Sequence, residues 1–315
     1  MNQPNLDVRS PKRYALVTAA YNEEGYIEKT IQSVIAQTIV PERWIVVSDR
    51  STDGTDEIVR RYAASYPFIE LVRRDGPRSH DFSSKSGALN AGLRLARQAD
   101  ADFIGILDGD VSFSATYFAD LMDKFRLNPA LGVGGGWILE ESGGEFRPRT
   151  NNSTSEVAGA VQLFRRQCQE AVGDFLPLRY GGADGCALVT ARMRGWQVQS
   201  FPDLGVQHHR TSGNNGRLRY HYRRGLMDFS VGSHPLYEIA RVSQRLRDRP
   251  LIVAACTRLC GYLRGYVRGE EREVSKEFVK FLREEEIHKL RRFTRTVPDP
   301  RVGAGKAVPG TSPPR

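Results

Sequence analysis

The chain has 315 residues, enough for one large or two modest domains with a sizeable core. Hydrophobic residues make up 40% and charged residues 26%, a globular balance that argues against a disordered or fibrous chain. The net charge of +9 is local, because residues 217–295 hold 19 Lys+Arg against 10 Asp+Glu, the whole of the excess. Such a segment is a solvated helical face, or it meets an anionic membrane surface or nucleic acid.

No run of 18 apolar residues occurs, so no membrane-spanning helix is expected. Residues 1–13 are polar and lack a signal-peptide core, which makes the cytoplasm the expected compartment. Cys168, Cys186, Cys256 and Cys260 show no zinc-type pairing and are expected to be reduced, mostly buried thiols.

Tyr14 to Ala20 is a short apolar run, the pattern of a buried strand. Asn22 then stands as a helix N-cap, followed by Ile27, Ile31, Val34 and Ile35 on one helical face. Trp44 to Ser48 predicts a second strand, the Ser51-Thr-Asp-Gly54 turn opens a helix to about Ala64, and Phe68 to Val72 predicts a third strand. Ser86 to Ala99 reads as a helix and Phe103 to Leu107 as a fourth strand. Strands alternating with helices imply right-handed βαβ units and a parallel sheet covered on both faces. Ligands of such sheets bind beyond the carboxyl ends of the strands. Tyr21, Asn22, Asp49, Asp75, Asp108 and Asp110 all gather there.

Asp108-Gly109-Asp110 directly follows the fourth strand. Asp and Gly also favour plain turns. At a strand end, however, two carboxylates one residue apart repel each other unless a cation joins them. Oxygen ligands of this kind suit Mn2+ or Mg2+ together with substrate phosphates, and the chemistry that needs them is departure of a diphosphate.

With Val17-Thr-Ala-Ala-Tyr-Asn-Glu23, Val46 to Thr55, Lys85 to Gly92, Leu107 to Asp110, Gly181-Gly-Ala-Asp184 and Arg192 to Trp196, the chain resembles family 2 glycosyltransferases over roughly 14–210. The resemblance implies an α/β GT-A fold: a Rossmann-like, mostly parallel sheet flanked by helices, here with a C-terminal helical extension. It implies transfer of a sugar from a nucleotide-diphosphate sugar to a hydroxyl of a saccharide or lipid-linked acceptor, with inversion. By likeness, Ala20, Tyr21, Glu23, Asp49, Lys85 and Asp108 line the nucleotide site, and Tyr21 can stack on the base. Asp110 and His208 are the implied metal ligands, with adjacent His209 the other choice. Asp184 is the implied general base. Trp137, Gly182 and Ala183 are acceptor-side candidates. The chain departs from the family at Ser48 and Arg50, where Asp and Gly or Asn are common, and at Ala183, where Glu is usual.

Gly134-Gly-Gly136 reads as a flexible run before a strand, and 140–152 as a mobile loop able to act as a lid. Residues 211–216 read as a loop. Pro235 to Arg247, Leu251 to Val267 and Val274 to Thr294 read as helices. An apolar stripe on the second of these, including Leu259, Tyr262 and Leu263, either packs on the catalytic domain or lies in a membrane interface. The chain thus divides into a flexible start (1–12), a catalytic domain (13–232, with halves at 13–112 and 113–232), a helical extension (233–297) and a disordered tail (298–315). Neither a Gln-x-x-Arg-Trp motif nor transmembrane helices are found, which favours single transfer over polymerisation. The rivals are a nucleotidyltransferase acting on sugar phosphates and a basic, non-enzymatic binder of nucleic acid or membrane. The first usually has a Gly-rich phosphate loop after strand one; the second has no nucleic-acid motif to support it, so no nucleic acid is expected.

Overall fold

The computed structural model describes residues 13–76, 82–210, 218–244 and 251–295. The expected flexible start (1–12), the loop 211–216 and the tail 298–315 lie outside the described residues.

Strand β1 (Tyr14–Ala20) is apolar and buried on both faces, as a central parallel strand must be. It pairs in parallel with β2 (Arg43–Asp49) and β4 (Phe103–Leu107), and β3 (Ile69–Arg74) extends the sheet beyond β2. Side chains alternate along β1. Tyr14, Leu16 and Ala20 pack with Ile27, Ile31 and Val34 of α1 (Ile27–Ile35), while Ala15 and Val17 pack with Leu89 and Leu93 of α3 (Ser83–Ala96). The helix α2 (Thr55–Ala63) covers the same face as α1 through Val59.

The predicted N-cap at Asn22 is corrected. Tyr26 precedes the first helical residue, and Asn22 sits in the left-handed region at φ 52°. Its carboxamide oxygen accepts from the Thr52 amide at 2.9 Å, so it ties two loops together instead of capping a helix.

Beyond β4 the sheet turns mixed. In chain order come β5 (Val111–Phe113), α4 (Tyr117–Leu127), β6 (Leu131–Ser142), β7 (Glu145–Pro148), β8 (Val161–Arg165), α5 (Arg166–Val172), α6 (Ala183–Met193) and β9 (Gln197–His208). The strand order is β3-β2-β1-β4-β8-β6-β9-β5, with β7 paired to β6. The glycine run is no flexible loop. Gly134, Gly135 and Gly136 are buried inside β6, and a β-carbon on Gly136 would collide with the Leu204 carbonyl of β9. The lid expectation at 140–152 is corrected likewise: β6 and β7 form a hairpin closed by Gly143 and Gly144, at φ 66° and 83°. Two consecutive positive φ values suit a two-residue turn matched to strand twist.

The C-terminal helices are α7 (Leu218–Ser230), α8 (Pro235–Gln244), α9 (Leu251–Val267) and α10 (Lys276–Arg295). Helix α9 packs on α7 and α8. Small residues bring the α7 and α9 backbones together, since a β-carbon on Gly261 would strike the Tyr222 carbonyl. Buried Arg258 of α9 donates to Asp228 of α7 and Glu238 of α8, both also buried. Helix α10 docks on α6 through Arg192–Glu285 at 2.7 Å and reaches Glu156 through Lys289 at 3.0 Å. All four cysteines are free, but only Cys168 and Cys186 are buried; Cys256 and Cys260 lie exposed on α9, a correction to the expected burial. No helix among the described residues is long and apolar enough to cross a membrane.

Candidate active site

The turn Asp108-Gly109-Asp110 joins β4 to β5 and is pinned from three sides. The Asp108 amide donates to the Ala160 carbonyl at 2.9 Å, and the Asp110 carbonyl accepts from the His209 amide at 2.9 Å. Thr30 of α1 donates to the Val111 carbonyl at 2.8 Å. The antiparallel register of β5 on β9 sets His208 opposite Val111, which carries the last residue of β9 to the turn. His208 Nε2 lies 3.5 Å from Asp110 Oδ1. His209 points elsewhere: its Nε2 lies 2.8 Å from Ser112 Oγ, and its ring meets Phe146 of the hairpin edge-on. Adjacent residues on an extended chain face opposite ways, so the register brings His208, not His209, to the aspartates.

Glu23 completes an acidic cluster. Its side chain lies over Gly109, where an added β-carbon would come 3.3 Å from Glu23 Cγ. Its amide donates to Thr55 Oγ1 at 2.8 Å, which holds the loop after β1 against the start of α2. Burial first, then the charges of Asp110 and Asp108, push the Glu23 carboxyl up to about 7, against the pull of Arg210. Asp110 is also raised, by burial and then by Asp108.

Two cations offset this charge. Lys85, in the first turn of α3, donates to Asp108 at 2.7 Å. The Arg210 guanidinium bridges Glu23 and Asp110, reaching Asp110 Oδ2 at 3.1 Å while packing over Tyr26. Sequence reasoning leaves Arg210 out of the site. The signal is there, since Arg210 stands two residues after His208 and an extended chain returns it to the same side.

Asp49, at the end of β2, is 3% exposed. Its carboxylate accepts from Arg50 at 2.7 Å, Arg74 at 3.0 Å and Ser84 at 2.6 Å. Ser84 and Lys85 are neighbours, so one helical turn of α3 steadies both Asp49 and Asp108. Arg50 has φ 62°, a region cheap for Gly and Asn and costly for Arg. Tyr21 is 38% exposed at the end of β1. Ala20 is wholly buried, and its methyl packs in the core with Leu16 and Ile27, not toward an open surface.

Asp184 is exposed in the first turn of α6. Gly182 caps this helix in the left-handed region at φ 92°, with no side-chain cap bond, so Asp184 is not the N-cap. It leans on Gly159, where any side chain would strike its carboxylate. A β-carbon on Gly182 would come 2.9 Å from Met227 Sδ of α7, and Arg223 of α7 stacks on Phe82 at 4.0 Å. Met227, Arg223 and Phe82 thus border the Gly182–Asp184 segment, a wall the sequence does not announce. Trp137 lies within β6 with a buried indole N–H that has no hydrogen-bond partner.

No three His, Cys, Asp or Glu side chains among the described residues form a ready metal-ligand set. The residues nevertheless fit a divalent cation. Asp110 Oδ1 is buried without a hydrogen-bond partner and faces His208 Nε2 at 3.5 Å, and a buried unpaired polar atom is costly unless something meets it. One carboxylate and one imidazole leave positions open for water and phosphate oxygens.

A family model described as Glycosyl transferase family 2 matches residues 15–183. A poly-beta-1,6-N-acetyl-D-glucosamine synthase of Staphylococcus aureus is 27% identical over 164 residues, 51% of this chain and 34% of that protein. A beta-monoglucosyldiacylglycerol synthase of Synechocystis sp. is 37% identical over 179 residues, 50% of this chain and 36% of that protein. The chain thus spans about a third of the length of these curated relatives. Among solved structures, a mannosyltransferase from Pyrobaculum calidifontis in complex with GDP-Man and Mn2+ superposes with a TM-score of 0.52 at 20% identity, covering 90% of this chain and 82% of that one. That likeness is one of fold, and the fold is GT-A.

Proposed function

Since the chain belongs to glycosyltransferase family 2, we propose that it moves a sugar from a nucleotide-diphosphate donor to a hydroxyl of a saccharide or lipid-linked acceptor, in a single inverting transfer. The observation that carries the reading is the buried, unbonded Asp110 Oδ1 facing His208, beside Asp108 and Glu23. The mannosyltransferase holding GDP-Man and Mn2+ and the synthases named above support it.

Asp110 and His208 would hold a divalent ion, Mn2+ or Mg2+, which when bound neutralises charge on the departing diphosphate. Asp49, Tyr21 and Glu23 border the nucleotide, with Tyr21 stacking on its base. Asp49 shares its oxygens with Arg50, Arg74 and Ser84, so any bond to a base competes with these donors. Lys85 and Arg210 supply positive charge to the phosphates. Asp184 takes the proton of the acceptor hydroxyl as its oxygen bonds to the anomeric carbon and the bond to the phosphate oxygen breaks. The products are the glycosylated acceptor and a free nucleoside diphosphate. Trp137, Gly182 and Ala183 lie on the acceptor side.

The test is a thermal-shift series with UDP, GDP and dTDP, with and without Mn2+. One nucleotide should raise the melting temperature in the presence of Mn2+, and Asp110→Asn should abolish the Mn2+-dependent part. No shift with any of the three, or an undiminished shift in the variant, would overturn the reading.

A further inference from the structure

Helix α9 carries apolar residues on both of its sides. Its packed side holds Ala255, Gly261, Tyr262 and Gly265, with Gly261 and Gly265 lying against α7 and Arg258 held in its ion cluster. Its outer side is apolar. At about 3.6 residues per turn, Ile252, Cys256, Cys260, Leu263 and Val267 fall on one strip, and all five are exposed, Ile252 at 66% and Val267 at 86%. Leu236 and Ile239, one turn apart on α8, are exposed as well. Single exposed apolar residues are ordinary, but a strip of five along one helix marks an interaction surface.

Charge selects the partner. Helix α9 contains no Asp or Glu, and Glu238, the one acid in α8, is fully buried against Arg258. Exposed Arg268 follows Val267 at the end of the strip, while Arg264, half-buried, donates to Tyr222 of α7 at 2.9 Å. A second copy would pair this face with itself and bring like-charged borders together. A layer of anionic headgroups over acyl chains satisfies both the strip and its border. No helix among the described residues is long and apolar enough to span a bilayer, so the geometry is that of a helix lying flat. Its 17 residues give about 25 Å of contact at ~1.5 Å per residue.

We propose that the outer face of α8 and α9 docks on an anionic lipid bilayer. The docking stands on these helices alone and does not depend on the glycosyl-transfer reading. The test is co-sedimentation of the full chain with phosphatidylcholine vesicles, with and without roughly a third phosphatidylglycerol. Wild type should pellet with the anionic vesicles and partition at least about tenfold more weakly onto the neutral ones, and binding should weaken as salt rises. Leu263→Glu/Val267→Glu should lose at least about tenfold in partitioning with its melting temperature unchanged. Arg268→Glu, which leaves the apolar strip intact, should weaken binding to anionic vesicles only. Failure of the wild type to pellet overturns the proposal. So does undiminished binding by the folded double variant, or a dimer in light scattering that the double variant dissociates while wild type ignores vesicles.

Discussion

Glu23 binds its proton more tightly in the folded chain than in the unfolded one, rising from the ordinary 4.5 to about 7 through burial and its aspartate neighbours. A raised folded-state value contributes stability that is full below about 4.5 and is lost as pH rises through about 7. Glu23→Gln removes that loss. With divalent cations absent, the variant should gain on wild type between pH 5 and pH 8 by roughly 1–2 kcal/mol, after allowance for solvent screening. Urea denaturation at the two pH values measures it, and parallel stability profiles would count against the cluster as drawn. Asp184 carries a prediction about rate. Asp184→Asn keeps the shape and loses the base, so turnover should fall by roughly two to four orders of magnitude. Steady-state assay of nucleoside diphosphate release decides it, and near wild-type turnover would remove Asp184 from the chemistry. Asp49, Asp108 and Asp110 are legible from sequence because each follows an apolar strand whose end must lie at the ligand edge. The engagement of Asp49 by Arg74 and Ser84 is not legible, because it depends on how β3 and α3 lie against β2.

Among the elements, the first half of the sheet is readable because buried parallel strands are near-continuous apolar runs. The second half hides itself. Strand β6 is full of glycine, whose use there is close approach to β8 and β9, not flexibility. The β6–β7 hairpin is polar on its exposed strand, so its hydrophobic pattern is weak, and only the Gly143-Gly144 pair marks the turn. Helices α8, α9 and α10 are readable from periodicity, but their faces are not. Helix α9 turns Ile252, Leu263 and Val267 outward and Arg258 inward, where it meets Asp228 and Glu238. Breaking a buried cluster of this kind strands its carboxylates. Arg258→Met should therefore cost roughly 3–5 kcal/mol, seen as a lower urea midpoint, whereas a loss under about 1 kcal/mol would mean that the cluster is solvated.

At the scale of the whole molecule, one strand register does most to assemble the site. Strand β9 runs beside β6 and ends on β5, so residues about a hundred positions apart in sequence, Asp110 and His208, become neighbours. Helix α7 then leans over Gly182, so the rim near Asp184 is shared between the catalytic sheet and the helical unit. Such long-range pairing cannot be read from local pattern.

Arg210 gives the cleft a tenant of its own. With a guanidinium lodged between Glu23 and Asp110, the resting pocket is spared much of the mutual repulsion of its three acids. Under the proposed reading, a divalent ion entering at Asp110 would compete with that guanidinium for one carboxylate. The strength of ion uptake would then report the difference between two occupants, and an arginine released from the carboxylate would be available to an incoming anion.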